Sequence, residues 1–127
     1  MNFDETATHL TQTWGKKTLN EFRNQALLEA KGTVFESLRA QEGQRLIILM
    51  CVTDSKQMDM LDQIMDFGEQ SPVDWDDYTL GHLALDSAQG GGSCYHEFCE
   101  PSGRRVSLAL CATSPEAVRT LEGIFKL

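Results

Sequence analysis

The longest hydrophobic run in this 127-residue chain lies within positions 45–53, which read Arg-Leu-Ile-Ile-Leu-Met-Cys-Val-Thr. Because successive positions are apolar and several are β-branched, the run predicts a central strand that is covered on both faces. Residues 33–40 precede it across the turn-forming segment 41–44, so these segments predict a β-hairpin. A second hairpin is predicted for residues 94–99 and 104–112, and a further strand for residues 78–86.

The spacing of apolar residues and the capping residues predict four helices. The first covers residues 4–14, and the second begins at a capping box formed by Thr18 and Glu21. The third covers residues 54–67, and the last begins at Ser114. The third helix is expected to place one apolar side on the sheet, formed by Met58, Met60, Leu61, Ile64 and Met65.

These elements follow the order α-α-β-β-α-β-β-β-α, which indicates a two-layer α+β fold. Its sheet should be mainly antiparallel and five-stranded, with residues 45–53 as the central strand and helices covering it. Residues 1–127 are interpreted as a single domain without internal repeats. From residue 33 onward, the predicted order resembles that of roadblock and profilin-like folds. The resemblance implies a scaffold without a cofactor that often pairs with itself, as a homodimer, or with another protein.

The net charge of −8 is concentrated in one segment of the chain. Residues 54–86 contain nine acidic residues and one basic residue, Lys56, whereas acids and bases balance on either side. A nucleic acid is not an expected ligand, because no stripe of lysine and arginine could neutralise its phosphates. The apolar runs are too short to span a bilayer, and the first residues lack the features of a signal peptide. The sequence therefore predicts a cytoplasmic protein that does not act at a membrane.

The acidic segment predicts a protein-docking surface on helix 54–67 and loop 69–78. Acidic side chains there would steer a basic partner, and aromatic side chains would supply apolar contact area. The predicted partner-binding residues are Asp59, Asp62, Asp66, Asp74, Trp75, Asp76, Asp77 and Tyr78. An alternative interpretation is a solvated face with Trp75 folded back onto the core. The carboxylates of residues 74–77 also suit Ca²⁺ or Mg²⁺, but they lack the EF-hand spacing, and no metal or cofactor is predicted.

A second group of candidate residues contains thiols and imidazoles. If the hairpin of residues 94–99 and 104–112 pairs symmetrically, Cys94, His96 and Cys111 share one face. Cys94 and Cys99 should not bind one metal ion or form a disulfide with each other, because five residues of strand separate them by roughly 16 Å and turn them to opposite faces. The alternative function is therefore a small thiol- or zinc-dependent enzyme that uses Cys94 and His96 with His82 or Cys111.

The sequence favours a non-enzymatic protein-binding module over an enzyme, since no catalytic motif accompanies the acidic segment. Its partner would be another protein with a basic or amphipathic surface. In size and charge the chain looks like bacterial secretion chaperones and toxin-neutralising immunity proteins. A regulatory or chaperone-like protein would hold a segment of another chain, whereas an immunity or inhibitor protein would bind the cationic active site of an enzyme.

Overall fold

The computed structural model describes residues 15–29, 31–39, 42–65 and 72–125. These residues form an α+β fold of four helices and one open, antiparallel, four-stranded sheet. The helices are α1 (Leu19–Leu28), α2 (Ser55–Ile64), α3 (Leu80–Gln89) and α4 (Pro115–Phe125). The strands are β1 (Thr33–Arg39), β2 (Arg45–Val52), β3 (Ser93–Cys99) and β4 (Arg105–Ala112). The predicted helix over residues 4–14 lies outside the described residues.

Strands β2 and β4 form the centre of the sheet, whose strand order is β1-β2-β4-β3. The last six residues of each central strand are buried, and since side chains alternate along a strand, both faces of the sheet are covered there. β1 pairs with β2 and β3 pairs with β4, both antiparallel. The predicted central strand and the two predicted hairpins are therefore confirmed.

The prediction of a fifth strand over residues 78–86 is wrong, because most of this segment belongs to helix α3. Thr79 caps the helix: its hydroxyl accepts a hydrogen bond from the His82 N–H, and His82 Nδ1 accepts one from the Thr79 N–H. The buried positions follow helical spacing and are Leu80, Gly81, Leu83, Ala84 and Ser87. The histidine takes the place that Glu or Gln usually occupies in a capping box, so the sequence pattern does not reveal this helix start.

Helices cover both faces of the sheet, so the predicted two-layer arrangement is also wrong. α1 and α3 pack on one face, where Phe22 and Leu83 are buried. α2 and α4 pack on the other face, where Leu61 and Leu121 are buried. The order within the described residues is α-β-β-α-α-β-β-α, which lacks the three consecutive strands of the roadblock or profilin-like order. None of the described helices has the length and apolarity needed to cross a bilayer.

This order consists of two α-β-β-α units, which the sequence pattern does not reveal as a repeat. Arg45 and Arg105 begin β2 and β4, so equivalent strand residues lie 60 positions apart. Gly32 and Gly92 precede the first strand of each unit and have φ angles of 102° and 104°. Equivalent residues of α1 and α3 lie 61 positions apart, since these helices begin at Leu19 and Leu80. Those of α2 and α4 lie 60 positions apart, since these helices begin at Ser55 and Pro115. We call such corresponding residues repeat partners.

The two units are related by a local two-fold axis through the middle of the sheet. Met50 of β2 lies opposite its own repeat partner, Leu110 of β4. Thr18 and Thr79, which cap α1 and α3, form an isolated antiparallel bridge with each other. Because of this symmetry, each site in one unit has an equivalent in the other unit with which it can be compared.

Candidate functional site

The acidic residues predicted on helix 54–67 have different surroundings in α2. Asp59 is exposed. Asp62 accepts hydrogen bonds from the guanidinium of Arg105, which also donates to Glu97 at 2.9 Å. The hydrogen bond to Asp62 is the main reason that the pKa of Arg105 is raised, and burial opposes it. The negative charge of Asp62 is therefore balanced within the fold, while Asp66 lies outside the described residues.

The acidic loop before α3 is held in place by its own hydrogen bonds. The Asp74 carboxylate accepts a hydrogen bond from the Asp76 N–H at 2.9 Å, and the Asp74 carbonyl accepts one from the Tyr78 N–H at 2.8 Å. The Asp76 carboxylate accepts a hydrogen bond from the Asn20 side-chain amide at 2.9 Å. Asp76 and Asp77 are exposed. Both carboxylates therefore lie at the surface, and that of Asp76 contacts the start of α1.

Trp75 of this loop packs in the core and is 5% exposed. Its ring meets the ring of Phe98 edge-on, with 5.3 Å between the centroids, and its carbonyl accepts a hydrogen bond from the Asn20 N–H. This is the arrangement that the alternative interpretation of the loop expects. Any role of Trp75 in docking is therefore to hold the loop in position.

The predicted docking residues do not lie on one continuous surface. α2 packs on the sheet face that carries Met50 and Leu110, whereas Trp75 packs into the core of the opposite face. Asp59 and Asp62 therefore lie on one side of the sheet and the loop residues lie on the other. A partner docked on α2 and a partner docked on the loop would be two separate contacts.

The outward side of α2 carries hydrophobic side chains that the helical periodicity assigns to the core. Met60 is 39% exposed and Ile64 is 52% exposed, whereas Met58 and Leu61 are buried against the sheet. The exposed residues Asp59, Met60, Gln63 and Ile64 share one helix face, which we call the outer α2 patch. The apolar stripe of residues 58–65 is wider than the surface that packs on the sheet, so only its centre contacts the core.

The thiol and imidazole group predicted on β3 does come together. Cys94 lies opposite Cys111 in the sheet, and Cys94 Sγ is 3.9 Å from His96 Nε2. The predicted shared face of these three residues is therefore confirmed. The ring of Tyr78 lies edge-on to His96 at 4.8 Å between centroids, and the Tyr78 hydroxyl donates a hydrogen bond to Asp86.

This group is buried, which determines its protonation. His96 is 7% exposed, and burial lowers its pKa, an effect that the charge of Asp86 opposes. Burial also raises the pKa of Tyr78, as does its hydrogen bond to Asp86. Burial raises the pKa of Cys111 to about 12, so this thiol stays protonated at neutral pH. The imidazole of His96 is therefore neutral at neutral pH and lies beside the buried thiol of Cys94. A thiol-dependent enzyme stays a prediction.

The lowered pKa of His96 predicts a loss of stability on acidification. The unfolded chain binds a proton at His96 with an ordinary pKa of 6.5, whereas the folded protein keeps this imidazole neutral to a lower pH. The free energy of unfolding should therefore fall as the pH drops below about 6.5. Urea unfolding at a series of pH values measures this effect. His96→Gln should remove that part of the pH dependence, and an unchanged profile in this variant would contradict the assignment.

The geometry of the described residues gives no support for a zinc site, and the expected absence of a metal stays a prediction. Within the described ranges, no three side chains of His, Cys, Asp or Glu are arranged to hold a metal ion. His82, which was a candidate ligand, instead uses Nδ1 to cap α3. Comparisons of the chain with protein families, with curated proteins and with solved structures gave no match.

Proposed function

We propose that this chain is a non-enzymatic protein-binding module that docks a basic or amphipathic segment of another protein on the outer α2 patch. The observation that carries the proposal is the exposure of Met60 and Ile64 one helical turn apart, beside the exposed carboxylate of Asp59. Two neighbouring apolar side chains of this kind suit the apolar face of an amphipathic helix. Asp59 would contact the basic face of that helix.

The comparison of repeat partners supports this assignment for Met60, whereas the repeat partner of Ile64 is Ile124, which packs partly buried against the core. The repeat partner of Met60 in α4 is Thr120, so the same position of the fold accepts a polar side chain. The core therefore does not require a hydrophobic residue there. An exposed methionine is also adaptable in shape, and methionines are common on surfaces that bind varied partners.

The negative charge of the chain also favours a basic partner. The chain has a net charge of −8, and a basic partner would be attracted over distances of about one Debye length, roughly 8–10 Å at physiological salt. Asp76 and Asp77 lie on the other side of the sheet, so physiological salt would largely screen their effect at the outer α2 patch, and Asp59 is the carboxylate that acts there. A regulatory, chaperone-like or inhibitory role would follow from the identity of the protein that is bound.

Replacing both Met60 and Ile64 by threonine should weaken the binding of an amphipathic partner helix at least tenfold. Burying a fully exposed apolar side chain contributes about 1.5–3 kcal/mol, and about half of this is available at each residue because Met60 is 39% and Ile64 is 52% exposed. The two residues together therefore exceed the roughly 1.4 kcal/mol that corresponds to a factor of ten. The measurement is fluorescence anisotropy of a labelled synthetic helix that carries leucine on one face and lysine on the other. Binding should also weaken as the ionic strength is raised.

The matched control is Leu28→Thr, which removes an 85% exposed hydrophobic side chain from α1. This variant should bind the peptide like the unchanged chain. Equal losses in both variants, or binding that is indifferent to Met60 and Ile64, would contradict the proposal. A dimer of the chain that the Met60 and Ile64 substitutions dissociate would make a second copy the occupant and would also overturn it.

A further inference from the structure

A cavity of about 340 Å³ lies between the turn that joins β1 to β2 and the side of α4 that carries Pro115, Val118, Arg119 and Glu122. Gln44 and Arg45 line it from the sheet, and Thr113, Arg119 and Glu122 line it from α4 and the segment before it. Its size is within the range of sites that bind small molecules. It lies in neither the thiol group nor the outer α2 patch.

Two nitrogen atoms of the Arg45 guanidinium lack hydrogen-bond acceptors. The Arg45 side chain is 10% exposed, and its Nε and Nη1 atoms are buried without a hydrogen-bond acceptor among the described residues. The nearest carboxylate is that of Glu122, whose Oε2 is 3.7 Å from Nη1, which is too long for a hydrogen bond. This contact is a long ion pair, and the guanidinium carbon also lies 5.8 Å from the centroid of the Phe35 ring. Neither contact supplies a hydrogen-bond acceptor to Nε or Nη1, whereas buried guanidinium groups are normally hydrogen-bonded.

The equivalent site in the other unit shows which hydrogen-bond acceptor Arg45 lacks. Arg105, the repeat partner of Arg45, donates hydrogen bonds to both Asp62 and Glu97. The repeat partner of Asp62 is Glu122, but the repeat partner of Glu97 is Ser37. Arg45 therefore lacks the second carboxylate that its counterpart has.

The charged residues around Arg45 are also more positive than those around Arg105. Arg119 lines the cavity, whereas its repeat partner in α2 is Asp59. Arg45 and Arg119 together outweigh the single carboxylate of Glu122, in a protein whose net charge is −8.

We propose that this cavity binds a small molecule through an oxyanion, a carboxylate or a phosphate, which takes the place of the missing carboxylate on Arg45. Because Nε and Nη1 are buried, the Arg45 guanidinium would turn toward the cavity for its N–H groups to donate to a carboxylate or phosphate oxygen in the paired geometry that guanidinium favours. Arg119 is the second cation. Glu122 repels a bare anion but accepts a hydrogen bond, so the ligand carries a hydroxyl or amino group next to its oxyanion. This ligand site is separate from the proposed docking of a protein on α2.

The test is isothermal titration calorimetry of the full chain at low ionic strength with inorganic phosphate, acetate and serine as separate probes. Saturable binding is expected, with serine tighter than acetate because its amino and hydroxyl groups can meet Glu122. Binding of phosphate alone would assign the site to phosphate compounds, and binding of serine or acetate alone would assign it to carboxylates. No saturable binding of any probe at millimolar concentration would overturn the proposal.

Exchanging residues between equivalent positions of the two units gives the variants that test this site. Ser37→Glu introduces the carboxylate that Arg105 has in the other unit, and it should abolish binding while the protein stays folded. Arg119→Asp copies the repeat partner and should weaken binding at least tenfold. The matched control is Glu97→Ser, the reverse exchange at the equivalent site, which should leave binding in the cavity unchanged. Binding that survives Ser37→Glu, or that Glu97→Ser removes equally, would contradict the role of Arg45.

Discussion

Trp75→Ala is expected to lower the free energy of unfolding by about 3–5 kcal/mol, as is usual when a large buried aromatic side chain is removed. Trp75 is 5% exposed, and its ring contacts the ring of Phe98 in the core beneath α1 and α3. Alanine would leave a cavity there, and the neighbouring loop and helices would relax only partly to fill it. Urea unfolding followed by circular dichroism measures the loss.

The control for this experiment is Asp77→Ala in the same loop. Asp77 is exposed, so its replacement should change the free energy of unfolding by less than about 0.5 kcal/mol. If Trp75→Ala were equally mild, the indole would not be a core residue and the loop could present it to a partner. Because the expected loss of unfolding free energy is large, a Trp75 variant could bind its partner more weakly simply because part of the protein is unfolded. Docking is therefore better tested at Met60 and Ile64.

Local patterns in the sequence were sufficient to predict elements whose signals lie within a few residues. The capping box of Thr18 and Glu21 is present in the structure, and the long apolar run forms β2. Both hairpins could be predicted because their turns join strands that are adjacent in sequence. Helix α3 could not, because it follows Tyr78 and Thr79, residue types that favour strands, and because its cap uses a histidine.

The repeat could not be recognised from the sequence because its units share packing positions more than residue types. Phe22 and Leu83 are repeat partners in the core, and so are Met50 and Leu110. Hydrophobic residues of different shape replace one another at such positions when the neighbours adjust. The glycines with positive φ recur in both units, but glycines in turns are too common to reveal a repeat by themselves.

The predicted docking surface failed to form one continuous face for a topological reason. Residues 54–86 are continuous in sequence, but α2 lies on one face of the sheet and α3 lies on the other. Charge summed along the chain therefore does not describe a surface. Asp62 is also paired with Arg105, which is 43 positions away, and no local pattern could indicate that contact.

Gly92→Ala is expected to lower the free energy of unfolding by about 3–5 kcal/mol, because it combines backbone strain with a steric clash. Gly92 has a φ angle of 104°, a conformation that residues with a Cβ atom rarely adopt. A Cβ atom there would lie 2.4 Å from the Cβ of Ser114. Since Cβ positions are fixed by the backbone, the junction between β3 and the start of α4 would have to move. This movement would disturb the hydrogen bonds that the Thr113 and Ser114 N–H groups donate to the Gly92 carbonyl.

Two further variants separate the strain from the clash. Gly103 has a φ angle of 89°, but a Cβ atom added to it would meet no described atom within 4 Å, so Gly103→Ala should lose only about 1–2 kcal/mol from the backbone conformation. Combining Gly92→Ala with Ser114→Gly removes the clashing Cβ and should recover part of the loss, reduced by the missing hydroxyl cap of α4. Chemical unfolding of all three proteins provides the comparison. Equal losses for Gly92→Ala and Gly103→Ala would mean that the contact with Ser114 does not limit this turn, and that φ alone accounts for the requirement for glycine.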